Sequence, residues 1–356
     1  MEKTLLAPPG VKVLMVAGGT GGHIFPALAL ARELAQREVK VFWAGSAEGM
    51  EKDIVEKNGF EFCEIKTNSR RLKAKGKVLK KLFTLQYALF TMLNGFKVLD
   101  RINPQGIIAT GSYAASGILF AGLLQRRSFF LLEQNRIPGR VTRFFAPFAR
   151  ESFLTFPPEG GFPGRYQMVG TPLREEILRV KREDDGKTVL VLGGSQGARA
   201  LNLAGLDMAA TLPNYHFIIL TGRRDYQICK ALIRSKNCEL VEWTDHPEEL
   251  YQKATIAVSR AGGLVISELL SLGIPAILVP YPYATSGHQE ANARYLESLG
   301  AAIVLRENQL SGLVSLVQTL LGDEKRRKEM AMRAKAAARP DAAQVITERI
   351  LQCLGV

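Results

Sequence analysis

A chain of 356 residues is long for a single hydrophobic core, so two domains are expected, and its apolar and charged contents of 47% and 23% are ordinary globular usage. The formal charge of +13 favours an anionic partner, whether nucleic acid, an acidic membrane face or a phosphorylated substrate. Four cysteines (Cys63, Cys229, Cys238, Cys353) are scattered without metal-ligand spacing and read as those of a reducing compartment, with no disulfide framework expected.

In chain order, residues 1–10 lack the apolar stretch of a signal peptide. Residues 11–17 read as a strand that feeds Gly18-Gly19-Thr20-Gly21-Gly22-His23, and a helix follows to residue 38. Glycines let backbone N–H groups approach an anion at the positive end of a helix. The turn has neither the dinucleotide spacing nor the Lys-Ser/Thr ending of a P-loop, and a bare tight connection stays open as the alternative. Strands at 39–44 and 60–65 flank a short helix at 49–57, a pattern of continuous apolar runs expected of a parallel sheet covered on both faces.

Residues 66–81 break that pattern with Lys66, Arg70, Arg71, Lys73, Lys75, Lys77, Lys80 and Lys81 and no acid. The helix predicted over 77–101 carries Leu79, Leu82, Phe83, Leu89, Phe90, Leu93 and Phe96 at helical spacing. Two readings stand: a core helix after a solvated basic loop, or a surface at 66–96 that gathers anionic headgroups and dips apolar side chains into lipid. Nucleic acid is not expected, because the basic run has no interleaved stacking aromatics. Residues 107–124 are interrupted by Gly111-Ser112-Tyr113 and Ser116-Gly117, so they divide into strand, turn and helix rather than a membrane span. Strands at 106–110 and 128–132 end in polar residues, the second at Glu133-Gln134-Asn135, where ligands sit in open α/β sheets. The Pro/Gly stretch 157–164 reads as a domain edge and the charged segment 179–187 as a linker.

The pattern then begins again, with a strand at 188–192, the turn Gly193-Gly194-Ser195-Gln196-Gly197 and a helix at 198–212. Strands at 215–220, 239–243, 255–258 and 275–279 complete a second doubly wound sheet. Residues 308–354 are helical by composition, and Pro340 should break them. Directly after a strand, Ser259-Arg260-Ala261-Gly262-Gly263 offers a helix amide end to a diphosphate. Glu268, more than a turn later, either accepts hydrogen bonds from diol hydroxyls such as those of a ribose or is a solvated helix residue. His288, Gln289 and Asn292 can share a helix face and either bind sugar hydroxyls or cap the helix. The four histidines (His23, His216, His246, His288) show no zinc-ligand pattern, and no Gly-x-Ser-x-Gly nucleophile elbow occurs.

Taken in order, Gly18-Gly19-Thr20-Gly21-Gly22-His23-Ile24-Phe25-Pro26, Glu133-Gln134-Asn135, Gly193-Gly194-Ser195-Gln196-Gly197-Ala198, Ser259-Arg260-Ala261-Gly262 with Glu268, and His288-Gln289 with Asn292 resemble the MurG family. These are the UDP-N-acetylglucosamine:undecaprenyl-diphospho-muramoylpentapeptide N-acetylglucosaminyltransferases of peptidoglycan synthesis. The resemblance runs from about residue 11 to about residue 350. It implies a GT-B fold, two Rossmann-like doubly wound parallel-sheet domains facing a cleft. The expected division is 1–164 for the acceptor and membrane-facing domain, 165–338 for the UDP-sugar domain, and a helix at 339–356 returning to the first domain.

The implied reaction is inverting transfer of N-acetylglucosamine from UDP-GlcNAc to the C4 hydroxyl of the muramoyl-pentapeptide of lipid I, giving lipid II and UDP, with no metal and no cofactor. By motif position His23 resembles the general base, although a residue that only orients the acceptor stays open. Thr20, Gly21 and Gly22 belong to the acceptor-side glycine loop, with Tyr113, Glu133 and Gln134 in the acceptor cleft. Asn135, Arg174, Ser195, Gln196, Gly263, Leu264, Val265, Glu268 and Gln289 resemble the donor-binding set, supported by Asn202, His288 and Asn292. Several positions depart from the family pattern, among them Leu132 in place of a frequent histidine and Ser286 in place of a frequent aspartate. The implied location is peripheral, on the cytoplasmic face of the cell membrane. The 66–96 region would meet the anionic surface, and cell-wall synthesis proteins are the implied further partners. A different GT-B enzyme with another acceptor, an NAD-dependent oxidoreductase and a non-enzymatic binding module are the competing classes.

Overall fold

A computed structural model describes residues 7–46, 49–65, 77–112, 115–194 and 197–356, with the helical backbone alone over 77–88. The chain forms two compact units. The first comprises Met1–Gln134, Pro138–Pro172 and Asp341–Val356, and the second Asn135–Ile137 and Leu173–Pro340.

In the first unit β1 (Lys12–Val16), α1 (Gly21–Gln36), β2 (Lys40–Gly45), α2 (Glu51–Lys57), β3 (Glu61–Glu64), α3 (Lys77–Ile102), β4 (Gly106–Ala109), α4 (Ala115–Leu124), β5 (Ser128–Glu133), α5 (Arg140–Phe145), β6 (Glu151–Leu154) and β7 (Tyr166–Met168) follow one another. All strand pairs are parallel, in the order β3-β2-β1-β4-β5-β6-β7. Val13, Leu14, Met15 and Val16 of β1 are fully buried because alternate side chains enter two different cores. Val13 and Met15 pack with α1 and the C-terminal helix, Ala342–Leu354. Leu14 and Val16 pack with Leu99 of α3, Ile118 and Leu119 of α4 and Phe145 of α5. Helices α3 and α4 approach closely: a Cβ on Gly117 would lie 2.5 Å from the Thr91 carbonyl, so only glycine fits there.

The C-terminal helix buries Ile346, Ile350 and Leu351 in the α1 side of the first core. It begins just after the break around Pro340, where proline cannot supply a helical N–H. Arg37, nearly buried, ties the end of α1 to this helix through Glu348 at 3.3 Å.

The second unit repeats the plan with α6 (Glu175–Leu178), β8 (Thr188–Leu192), α7 (Arg199–Thr211), β9 (His216–Leu220), α8 (Tyr226–Leu232), β10 (Cys238–Val241), α9 (Pro247–Lys253), β11 (Ile256–Ser259), α10 (Gly263–Leu272), β12 (Ala276–Leu278), α11 (His288–Ser298), β13 (Ala302–Val304), α12 (Leu313–Gly322) and α13 (Glu324–Ala337). Its strands are again all parallel, in the order β10-β9-β8-β11-β12-β13. The relative order of its first four strands matches that of β3-β2-β1-β4. Each sheet therefore reverses its winding beside its first strand, between β1 and β4 and between β8 and β11, and these reversal points are where open sheets bind ligands.

Two expectations change. The first unit continues past the Pro/Gly stretch 157–164 to Pro172, because β7 still pairs with β6. Segment 179–187 is anchored rather than a free linker. The Arg182 guanidinium donates to the Gly273 carbonyl at 3.0 Å, and Asp185 accepts from the backbone N–H groups of Lys187 and Thr188. Among the described residues no helix is long and apolar enough to cross a membrane, and no cluster of three or more His, Cys, Asp or Glu is placed to hold a metal ion.

Candidate active site

The first unit's site is built on the turn between β1 and α1. Trp43 Nε1 donates to the Ala17 carbonyl at 3.1 Å and fixes the end of β1. Gly18 then passes so close to the buried Glu51 that a Cβ there would lie 2.6 Å from Oε1, and Gly19 takes a φ of +93°. Thr20 is the N-cap residue of α1, in an extended conformation, and its side chain makes no capping hydrogen bond. The first N–H groups of a helix have no intrahelical acceptor, so those of Gly21 and Gly22 stand at the positive end of α1. His23, half-buried, is the third residue of that helix, its own N–H bonded to the Thr20 carbonyl at 3.0 Å.

At the neighbouring strand ends, Glu133 is buried and its Oε2 accepts the Gly139 N–H at 2.9 Å. Gln134 is also buried, and its Nε2 has no hydrogen-bond partner among the described residues. Thr142, not singled out in the sequence, joins them. Its fully buried Oγ1 has no partner among the described residues and crowds Gly111, where a Cβ would lie 2.5 Å away. Tyr113 lies outside the described residues.

In the second unit three loop ends converge. After β11, α10 opens with an uncapped amide end: Gly262 is its N-cap residue, with no side-chain hydrogen bond and no acid in the first turn. The N–H groups of Gly263, Leu264 and Val265 are thereby left for a ligand. Glu268 lies more than a turn into the same helix, 4% exposed, which removes the solvated alternative. Its Oε2 accepts a 2.7 Å hydrogen bond from the Tyr251 hydroxyl of α9, and its Oε1 lies 3.9 Å from Arg174 Nη2. Arg174 is the N-cap residue of α6 and also donates to the Asp245 carbonyl at 3.3 Å. Burial pushes the Glu268 carboxyl up to about 7, against the opposing pull of Arg174 and the Tyr251 hydroxyl, while Glu248 adds to the rise. Burial and the neighbouring Glu268 raise the Tyr251 phenol, so it keeps its proton and acts as donor.

After β8, Gly194 and Gly197 take φ values of +80° and +74°, and Ser195 and Gln196 between them lie outside the described residues. Asn202 is fully buried, with Nδ2 donating to the Thr221 carbonyl at 2.9 Å, so it braces the turn from behind. Gln289 Oε1 accepts the Tyr281 N–H at 2.9 Å, which orients its amide, and His288 Nδ1 donates to the Thr285 carbonyl at 2.7 Å. Asn292 is fully buried, and both ends of its amide are bonded to protein. Of the residues foreseen for sugar reading, Gln289 and His288 remain at the surface of α11 and Asn292 does not. Tyr251 was not foreseen. It lies 17 residues before Glu268, and only the packing of α9 against its neighbours brings them together.

Residues 13–154 match the glycosyltransferase family 28 N-terminal domain and residues 188–346 its C-terminal domain. The chain is 35% identical to the UDP-N-acetylglucosamine–N-acetylmuramyl-(pentapeptide) pyrophosphoryl-undecaprenol N-acetylglucosamine transferase of Halothermothrix orenii, over 93% of this chain and 95% of that protein. It is 32% identical to the protein of the same name from Bacillus subtilis, over 94% and 97%. Among solved structures, Acinetobacter baumannii MurG is similar with a TM-score of 0.77 and 26% identity, covering 96% of this chain and 99% of that one. A calicheamicin glycosyltransferase shares the fold alone, with a TM-score of 0.71 at 17% identity, over 97% and 98%.

Proposed function

The chain belongs to the MurG family of UDP-N-acetylglucosamine–N-acetylmuramyl-(pentapeptide) pyrophosphoryl-undecaprenol N-acetylglucosamine transferases, and we infer that it converts UDP-GlcNAc and lipid I to lipid II and UDP. The observation that carries the donor half is the buried carboxylate of Glu268 on the same helix as the uncapped amide end of α10. A diphosphate fits the amides and a ribose diol fits the carboxylate, which accepts two hydroxyl hydrogen bonds.

In the proposed reaction the C4 oxygen of the muramoyl residue attacks C1 of N-acetylglucosamine from the face opposite UDP. The new C1–O bond forms as the bond to the β-phosphate oxygen breaks, so the anomeric centre inverts. His23 takes the hydroxyl proton. Imidazole is the side chain suited to the task, since its unperturbed form titrates near neutrality, and a positioned base is worth roughly 100- to 10,000-fold. In the proposal, charge growing on UDP meets the N–H groups of Gly263, Leu264 and Val265 together with Ser195, and Arg174, 3.9 Å from Glu268, adds a cation to the donor-binding set. Such preorganised donors act on the leaving group electrostatically. Glu133, Gln134 and the acceptor-side loop Thr20-Gly21-Gly22 would hold the acceptor, and Asn135, Gln196 and Gln289 the donor.

Lipid I is membrane-bound, so the reading also places the first unit at an anionic lipid surface. Leu89, Phe90 and Leu93 of α3 are 53%, 40% and 51% exposed, and Phe144 and Phe148 stand out beside the exposed Arg140 and Arg143. Apolar side chains interleaved with cations suit an interfacial surface, and the basic run 66–76, outside the described residues, precedes α3 in the chain. The deciding experiment is a donor–acceptor matrix assayed by UDP release, with UDP-GlcNAc offered against lipid I and simpler glycosides. Release restricted to the lipid I pair is expected. Equal release with simple glycosides would replace this acceptor by another.

A further inference from the structure

Glu268 is a buried carboxylate with two unlike neighbours, a hydroxyl at hydrogen-bond distance on Oε2 and a guanidinium nitrogen at 3.9 Å from Oε1. We propose that Tyr251 is a positioning residue for the nucleotide sugar: its hydroxyl, 2.7 Å from Glu268 Oε2, holds the carboxylate ionised and leaves Oε1, on the Arg174 side, for the ribose hydroxyls. The proposal rests on the reading that Glu268 takes the ribose. Tyr251 itself touches no reacting atom.

Three observations support it. First, Tyr251 is 2% exposed and its hydroxyl donates to Glu268 at an ordinary O–H···O distance. Second, the Arg174 pair is too long for a hydrogen bond, so among the described residues the phenol makes the one direct hydrogen bond to the carboxylate. Third, a carboxylate that must accept from two diol hydroxyls has to be ionised, and burial works against that here. The groups facing it are Arg174 at the start of α6 and Tyr251 and Glu248 on α9; His246 is paired with Glu248, its Nδ1 2.9 Å from Glu248 Oε1. Arg174 and Tyr251 favour the charge and Glu248 opposes it. His246, when protonated, offsets Glu248.

Donor affinity in the wild type is therefore expected to rise with pH through about 7 and level off above it. A hydrogen bond to a charged group contributes on the order of 1.5 kcal/mol, so removing the phenol raises the carboxyl by about one pH unit.

The test is calorimetric binding of UDP-GlcNAc without acceptor, between pH 6 and 8.5. The diphosphate diester does not titrate there, and without acceptor no chemistry involving His23 contributes. For Tyr251→Phe the ratio of variant to wild-type Kd should be about ninefold larger than its limiting value at pH 6 and within about twofold of that value at pH 8.5. Incorporating 3-fluorotyrosine at 251, a stronger donor of nearly the same shape, should move the midpoint below that of the wild type. A pH-independent Tyr251→Phe defect, no defect, or a fluorotyrosine midpoint that fails to fall would overturn the proposal. So would a His246→Gln enzyme that loses the pH dependence altogether. If Tyr251→Phe does not fold, the fluorotyrosine enzyme decides alone. Glu268→Gln separates the two readings. Wild-type affinity in that variant rejects the ribose assignment itself, whereas weakened, pH-independent binding upholds it and leaves Tyr251 to be judged on its own results.

Discussion

Asn292 Oδ1 accepts the backbone N–H of Arg136 at 2.9 Å while its Nδ2 donates to the Ala261 carbonyl at 3.0 Å. One buried amide thus joins the 135–137 segment to the loop after β11, and the same Nδ2 also reaches Asn135 Oδ1 at 3.0 Å. Asn292 thereby braces loops on which the proposed donor site is built. Replacing it with alanine leaves a backbone N–H and a carbonyl without partners, a loss of about 1–3 kcal/mol. The Asn292→Ala enzyme should melt several degrees lower and bind UDP-GlcNAc more weakly. Wild-type melting would show that water replaces the amide.

His23→Ala should lower kcat by roughly 100-fold or more while leaving UDP-GlcNAc affinity within about twofold, because the base acts only as the acceptor proton moves. Steady-state assays with both substrates varied distinguish this from a residue that only orients the acceptor. In that case the acceptor KM would rise and kcat would hold.

Glu268→Gln should weaken donor binding and stabilise the free enzyme. The carboxyl titrates near 7 in the folded protein against 4.5 in the free side chain, so the folded state binds the proton more tightly. Its ionisation thus costs folding energy that grows between pH 4.5 and 7 and is constant above. At pH 8 the glutamine variant should gain on the order of 3 kcal/mol over the wild type, a gap that closes as the pH falls to about 4.5. Denaturant unfolding at pH 5 and pH 8 reads it directly.

Serine at Leu89, Phe90 or Leu93 should reduce co-sedimentation with anionic vesicles about fivefold for each change, since partial burial of such a side chain contributes about 1 kcal/mol. Charge-neutralising changes at Lys73, Lys77 and Lys80 should lower the salt sensitivity of the same binding. Vesicle binding that ignores both sets would mark these surfaces as ordinary fold exterior.

The long inner strands were legible because a parallel sheet buried on both faces needs unbroken apolar runs, as in Val13-Leu14-Met15-Val16 and Val189-Leu190-Val191-Leu192. Three strands went unread: β6, an inner strand of only four residues that opens on Glu151 and Ser152, and β7 and β13, both sheet edges of three residues. β7 is exposed throughout (Tyr166, Gln167, Met168), so no hydrophobic pattern marks it. The site divides in the same way. Gly18 to His23 and Ser259 to Gly263 are local turns, written in consecutive residues, and Glu268 follows at a helical spacing. Tyr251 and Thr142 matter through contacts between elements distant in the chain, which no local pattern encodes. Arg182 read as a linker cation because its acceptors, the carbonyls of Ala254 and Gly273, lie far along the chain.

The helix after Pro340 supplies Ile346, Ile350 and Leu351 to a core whose other members lie between Ala7 and Val169. On the ribosome the first unit therefore waits with an open apolar groove along α1 while the entire second unit is synthesised and folds. During that interval the nascent chain exposes apolar surface of the kind that promotes association. Shortening the chain at residue 340 would make that exposure permanent, turning a delay in synthesis into aggregation.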